Sequence, residues 1–194
     1  MRFYSVQLYF YVYYDSDCFA FVYLLEVFVL FSIKDYYPQD AVTILSWIPD
    51  EKVFRQWSAD KYKDYPAKPE DMNTFYEEMM HNGGRPFVFC DDDKVIGHFV
   101  LRPLTEEITP TVRIGFIIVD SSVRGKGYGR KMLEAAFDYA FVNYDCKRIT
   151  LGVFENNPKA KKCYESVGFR QWGSTTCRIN GEDWLCFEME YLKD

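Results

Sequence analysis

Between Val119 and Phe141 the chain reads VDSSVRGKGYGRKMLEAAFDYAF. Gly125, Gly127 and Gly129 alternate with the loop's other residues, among them Lys126 and Tyr128, and Arg124 and Arg130 flank them. The loop runs straight into a pattern in which Met132, Leu133, Ala136, Phe137, Ala140 and Phe141 recur at helical spacing. Glycine lets backbone come close to a ligand. The first turn of a helix presents N–H groups without intrahelical partners and the positive end of the helix dipole. Together they form an anion site, and phosphate or pyrophosphate is the anion expected. The spacing is not that of a Walker A loop. It is not the Rossmann Gly-x-Gly-x-x-Gly either, and no acidic residue stands about 20 positions on to hold a ribose. A glycine turn with solvated basic side chains is the plain alternative.

The loop needs a strand before it and a buried helix after it, and the chain supplies both. Thr111 to Val119 reads as a strand, preceded by strands over Pro86 to Cys90 and Val95 to Arg102 with Asp91-Asp92-Asp93 as the turn between them. Phe31 to Lys34 reads as a short strand. Asp40 opens a helix through Ile48, with Ala41, Ile44, Leu45 and Ile48 on one face. Pro69-Glu-Asp opens a second helix carrying Met72, Phe75, Tyr76 and Met79, which Asn82-Gly83-Gly84 ends. After the glycine loop and its helix come a strand over Arg148 to Phe154, a helix over Pro158 to Val167, and a hairpin turned by Asn180-Gly181. The pattern is one mixed α/β domain.

The run Arg124-Gly-Lys-Gly-Tyr-Gly129 resembles the Arg/Gln-x-x-Gly-x-Gly/Ala signature of the GNAT superfamily of N-acetyltransferases. ITLGVFENNPKAKKCYESVGF, Ile149 to Phe169, resembles that superfamily's second conserved half, in wording nearest the enzymes that acetylate ribosomal-protein N-termini. The resemblance implies an α+β fold: a mixed, mostly antiparallel sheet of about seven strands with helices on both faces. It also implies acetyl-CoA as acetyl donor, no metal, and an amine attacking the thioester directly. In the family, the strand before the loop splays from its neighbour and pairs with the pantetheine arm, which places Ile117, Ile118 and Val119 there. Pyrophosphate is expected on the backbone of Arg124, Gly125, Lys126, Gly127, Tyr128, Gly129 and Arg130. Asn157 matches the family's CoA-contacting Asn, although Asn157-Pro158 is equally an N-cap followed by Pro at the first helical position.

Tyr164 matches the family's general acid. It falls two turns after Asn157 on one helix face, and a phenol is acid enough to serve a leaving thiolate. A Tyr packed on the sheet with Ala160 and Val167 is the bland reading. Where the ribosomal-type enzymes carry a Glu base, this chain has Gly152. Glu155, Glu106, Glu107 and His98 are the substitutes within reach of the motif, and for His98, between Gly97 and Phe99, a satisfied strand histidine is preferred. No base is assigned. A catalytically degenerate acyl-CoA sensor is therefore the rival reading. Specificity is expected in the first two helices and their connection, Phe54 to Met72, where Trp57, Tyr62 and Tyr65 lie beside Asp60, Asp64 and Asp71 as a candidate mouth for a cation.

Composition narrows the partners. A formal charge of −6 and pI near 5.1 exclude nucleic acid as the main partner and suit an amine, whether a small molecule, a peptide N-terminus or a lysine. Six cysteines without C-x-x-C or metal spacing to His81 and His98 point to reduced thiols in a cytoplasmic setting. Residues 1–30 differ from the rest. Through Phe31 they hold twelve Phe and Tyr and four charges, and the apolar run from Cys18 is short against the roughly 20 residues that span a bilayer. They are expected to be an extension upstream of the natural start, with the acetyltransferase-like domain at 31–194; an added strand or helix and a membrane-surface anchor are the alternatives. A homodimer stays open.

Overall fold

A computed structural model describes residues 2–14, 20–105 and 107–193, with side chains from Phe31 onward. The chain forms one eight-stranded sheet in the order β1-β2-β3-β4-β5-β6-β8-β7. Its strands are β1 Arg2–Tyr14, β2 Ala20–Asp35, β3 Arg85–Asp91, β4 Lys94–Leu104, β5 Thr111–Val119, β6 Arg148–Phe154, β7 Arg170–Ile179 and β8 Glu182–Leu192. Every neighbouring pair is antiparallel except β5 and β6. Strands β2–β8 give the expected seven. β2 runs through residue 31 without a break and pairs with β3 only over Phe31 to Asp35, so the expected boundary falls inside a strand. Asn180 and Gly181 both take positive φ in the β7–β8 turn, as that dipeptide predicts.

Helices cover both faces. On one lie α1 Asp40–Ser46, α2 Glu51–Ser58 and α3 Pro69–His81, and on the other α4 Tyr128–Asn143 and α5 Pro158–Ser166. Each face has its own core. The α4–α5 core is built on Phe89, Phe99, Leu101, Met132, Leu133, Phe137 and Tyr164. The opposite core is aromatic, with Tyr36, Phe54, Trp57, Tyr62 and Tyr76 around Ile44 and Met72. Two sequence expectations change here. Asp40 is not the cap of α1: Gln39 is, and Asp40 lies in the first turn, its carboxylate accepting from Tyr37 N–H. The stretch from Phe54 onward is not all connection, because α2 occupies its start. Asp50 accepts from Val53 N–H at 2.8 Å to cap it. Arg55 of α2 is buried and donates to the carbonyls of Tyr62 and Lys63, fixing the chain that follows.

His98 is the satisfied strand histidine. It is fully buried, with Nδ1 2.8 Å from Phe87 O and Nε2 2.6 Å from the Tyr76 hydroxyl. Nδ1–H must donate to the carbonyl, so Nε2 accepts from Tyr76. Burial lowers its pKa to about 3. A group whose folded pKa is depressed gives stability that is complete above its unfolded value near 6.5 and is lost as pH falls toward 3. Folding should therefore weaken by about 2 kcal/mol from this group between pH 7 and pH 5. Urea denaturation of wild type and His98→Gln at the two pH values checks it, since the variant should lack that increment.

Candidate active site

The site begins where the sheet opens. β5 and β6 pair over Thr111–Arg113 and Arg148–Thr150 and not beyond. From Ile114 onward β5 keeps β4 on one side and has no strand on the other. Ile117, Ile118 and Val119 lie on this open length. Ile118 packs toward α1–α3, and Ile117 and Val119 pack toward α4. The β4–β5 ladder is itself bulged between His98 and Val100. There Phe116 takes φ +52°, and its carbonyl accepts from Trp57 Nε1–H at 2.9 Å, tying α2 to the opening.

The glycine loop follows directly. Asp120 accepts from Ser122 N–H at 2.8 Å to start a 3-10 turn, Ser121–Val123. Gly127, in left-handed conformation at φ +81°, is the N-cap of α4, and no side chain caps that end. A Cβ on Gly125 or Gly127 would meet nothing within 4 Å, so the turn is open at both positions. Gly129 serves a different end: a Cβ there would lie 3.3 Å from Cys163 Sγ, where α4 meets α5. The side chains around the loop mostly have other work. Arg124 Nε donates to Val119 O at 3.1 Å, Arg130 pairs with Glu134 at 2.9 Å, and the Tyr128 hydroxyl donates to Asp91 at 3.0 Å. The loop thus offers an uncapped helix start and, among its basic side chains, Lys126 without an ion-pair partner among the described residues.

Helix α5 carries the other two expected residues. Asn157 is its N-cap, with Oδ1 accepting from Ala160 N–H at 3.3 Å. That realises the capping reading and leaves the side-chain amide N–H groups for a ligand. Tyr164 is 7% exposed, its ring edge-on to Phe169. Its hydroxyl makes no hydrogen bond among the described residues, and its oxygen is not fully enclosed. The ring is core while the oxygen reaches solvent. Burial pushes the phenol well above its ordinary value of 10, with Cys163 beside it adding to the shift.

Across the sheet from the loop lies a cleft of about 580 Å³. Trp57, Phe75, Met79 and Phe116 form its apolar wall, and Gly152, Phe154, Arg113 and Glu188 its floor at the opening. A second hollow of about 420 Å³, lined by Asp64, Asp71 and Thr74, adjoins it through Lys61, Phe75 and Glu78. Of the expected aromatic mouth, Trp57 lines the cleft and Tyr62 the second hollow beside Asp64 and Asp71; the two rings also stack on each other, and Asp60 pairs with buried Arg55. Of the candidate bases, His98 is walled in, Glu107 pairs with Arg148 at the closed end of the β5–β6 ladder, and Glu155 is exposed. Glu106 lies outside the described residues. Sequence reasoning missed α2, the Phe116 bulge and Glu188. For Glu188 a signal existed: in Cys186-Phe-Glu-Met189 alternation puts it on the face opposite Met189.

Residues 51–169 match the family model described as Acetyltransferase (GNAT) family. The spermine/spermidine N(1)-acetyltransferase of Bacillus subtilis is 39% identical over 71 residues, 37% of this chain and 45% of that protein. The match thus spans less than half the length of that curated relative. The spermidine N(1)-acetyltransferase of Vibrio cholerae is 27% identical over 125 residues, 64% of this chain and 69% of that protein. A crystal structure of spermidine N-acetyltransferase from Vibrio cholerae with CoA and spermine superposes with TM-score 0.69 at 25% identity, covering 84% of this chain and 95% of that one. The ribosomal-protein-S5-alanine acetyltransferase of Vibrio fischeri, at 22% identity and TM-score 0.66 over 84% and 93% of the two chains, shares the fold. With the splayed strands, the uncapped glycine turn and a family match over most of its length, the chain belongs to the acetyltransferase (GNAT) family.

Proposed function

We propose that the chain is an N-acetyltransferase that takes an acetyl group from acetyl-CoA and places it on a primary amine held in the cleft. The observation that carries this reading is the opening between β5 and β6, with an uncapped glycine turn on one face of the sheet and a cleft with apolar and charged lining on the other. The diphosphate would rest on the backbone from Arg124 to Arg130, the pantetheine arm along Ile117, Ile118 and Val119, and Asn157 would contact the arm from the other side. Acetyl-CoA supplies the acetyl group as an activated thioester. Tyr164 keeps its proton at Oη at neutral pH, because burial raises it further above the ordinary phenol value. Its part is to donate a hydrogen bond where negative charge gathers as a thiolate leaves. The five described cysteines are free, which supports a reducing, cytoplasmic setting.

The relatives' names make spermine and spermidine the first acceptors to test, and the aromatic wall suits an alkylammonium chain. A second acceptor class, amines that also carry a carboxylate, is favoured by Arg102: it lines the cleft and has no ion-pair partner among the described residues. Turnover on a panel of spermine, spermidine, an aminoglycoside and a short peptide decides between them. Acetyl-CoA binding without turnover on any amine would favour the sensor.

Three outcomes test this reading. Removing residues 1–28 should leave a folded protein with full acetyl-CoA affinity, since Phe31 and Ile33 of the core and the β2–β3 pairing are kept; loss of the melting transition would put the β1–β2 hairpin inside the domain. Acetyl-CoA at 100 times its dissociation constant should add about 2.7 kcal/mol of stability. Gly127→Val should abolish that gain, while Gly83→Val, at the same φ of +81° and away from the site, should keep it. Tyr164→Phe should bind acetyl-CoA as wild type does and lose about 10²- to 10³-fold in turnover, the usual cost of one donor at a site of developing charge. Wild-type turnover, in an assay where chemistry limits the rate, would remove Tyr164.

A further inference from the structure

We propose that Glu188, on the strand paired with Gly152, is the carboxylate that holds the acceptor's ammonium group. The proposal rests on the transferase reading above. The β6–β8 register sets Gly152 directly opposite Glu188, and both line the cleft. A Cβ added at Gly152 would lie 2.9 Å from Arg113 Nη2, 3.0 Å from Cys186 Sγ and 3.7 Å from Glu188 Oε1. The space into which a β6 side chain would project is therefore filled by the Arg113 guanidinium and the Cys186 thiol, with the Glu188 carboxylate of the neighbouring strand next to them. Gly152 sits two residues past Thr150, the last rung of the β5–β6 ladder, so this carboxylate is at the mouth of the opening.

Its orientation is fixed. Arg113 Nη1 donates to Oε2 at 2.8 Å and Nη2 donates to Oε1 at 3.3 Å. This fork uses one acceptor direction on each oxygen, and a carboxylate offers about four in all. The remaining ones suit an ammonium N–H, whose hydrogen bond to a carboxylate is of the stronger, charge-assisted kind. The other charged and titratable groups at the cleft are Arg102, paired in register with Arg113 across β4–β5, Glu78 of α3, Lys61, Cys177 and Cys186. The Cys186 thiol is pushed up to about 11, mainly by burial and then by the charge of Glu188, so it stays protonated. Phe116 and Phe154 flank the spot, and the carboxylate side chain is 18% exposed. A cation reaching it is shielded from water, and Arg113 keeps the acid from swinging away.

Calorimetric titration of spermine into the CoA-saturated protein tests the contact without turnover. Glu188→Gln should weaken spermine binding by about 10- to 100-fold, the size of one hydrogen bond to a charged group, and leave CoA affinity unchanged. In the acetylation assay KM for the amine should rise by the same factor with kcat nearly constant, as expected when binding common to ground and transition states is lost. Unchanged spermine affinity, or a fall in kcat alone, overturns the proposal. If Glu188→Gln does not fold, Arg113→Gln/Glu188→Gln removes both charges together and is read in the same way. Wild-type turnover with no change of KM in Glu188→Gln removes Glu188 and leaves the transferase standing. Spermine binding lost in Glu188→Gln, with no turnover by either protein, removes the transferase and leaves Glu188 standing. A wild-type protein that binds CoA and takes up neither spermine nor a short peptide at millimolar concentration overturns it.

Discussion

Three rungs of parallel ladder, Thr111–Arg113 against Arg148–Thr150, hold the two halves of the sheet together before β5 and β6 part. Backbone groups in a protein interior need partners, and strands that separate leave a row of them unmet. One side of that gap is shaped by the bulge that puts Phe116 at φ +52°, where the carbonyl is met by the Trp57 indole. The rest faces the space that a ligand's amide groups would fill. A closed sheet would have better internal pairing and no passage from one face to the other.

The parting holds because each face is buttressed independently. Beneath the loop, α4 buries Met132, Leu133, Ala136 and Ala140 in a core shared with Phe89 and Phe99, so its first turn is fixed against the sheet. Above, the aromatic core of α1–α3 and His98 is knit by edge and stacked contacts, such as Trp57 on Tyr62 at 5.9 Å and Tyr36 on Tyr76 at 5.0 Å. Such pairs add about 0.5–1.5 kcal/mol each beyond the area they bury. Rings that read from sequence as a mouth for a cation, Trp57 and Tyr62, line the two hollows and also frame α2 over the opening.

Charge is handled differently on the two faces. On the loop side the described side chains are largely engaged with each other, Arg130 with Glu134 and Tyr128 with Asp91, and an anion would be met by backbone. That arrangement needs no buried cation and so avoids its desolvation cost. On the cleft side, opposite charges stand close at low exposure, Arg113 on Glu188 with Arg102 alongside. Half-buried pairs of this kind contribute little to stability and much to orientation.

The sequence by itself determined most of the elements and the glycine turn before α4. Alternate glycines before an apolar helical stripe, Asn157-Pro158 and Asn180-Gly181 are local signals, and the structure has a loop, a cap and a turn at those positions. Tyr164 was legible as a position on a helix face, but not as a buried ring with a free hydroxyl, because that depends on Phe169 and the sheet. The short helix α2 was lost among charged residues, its hold on the fold lying in Arg55, whose carbonyl partners only appear once the chain has turned back. Only the tertiary structure decided which side chains surround Gly152. Strand register, which no local pattern encodes across 36 residues, brings Glu188 opposite it.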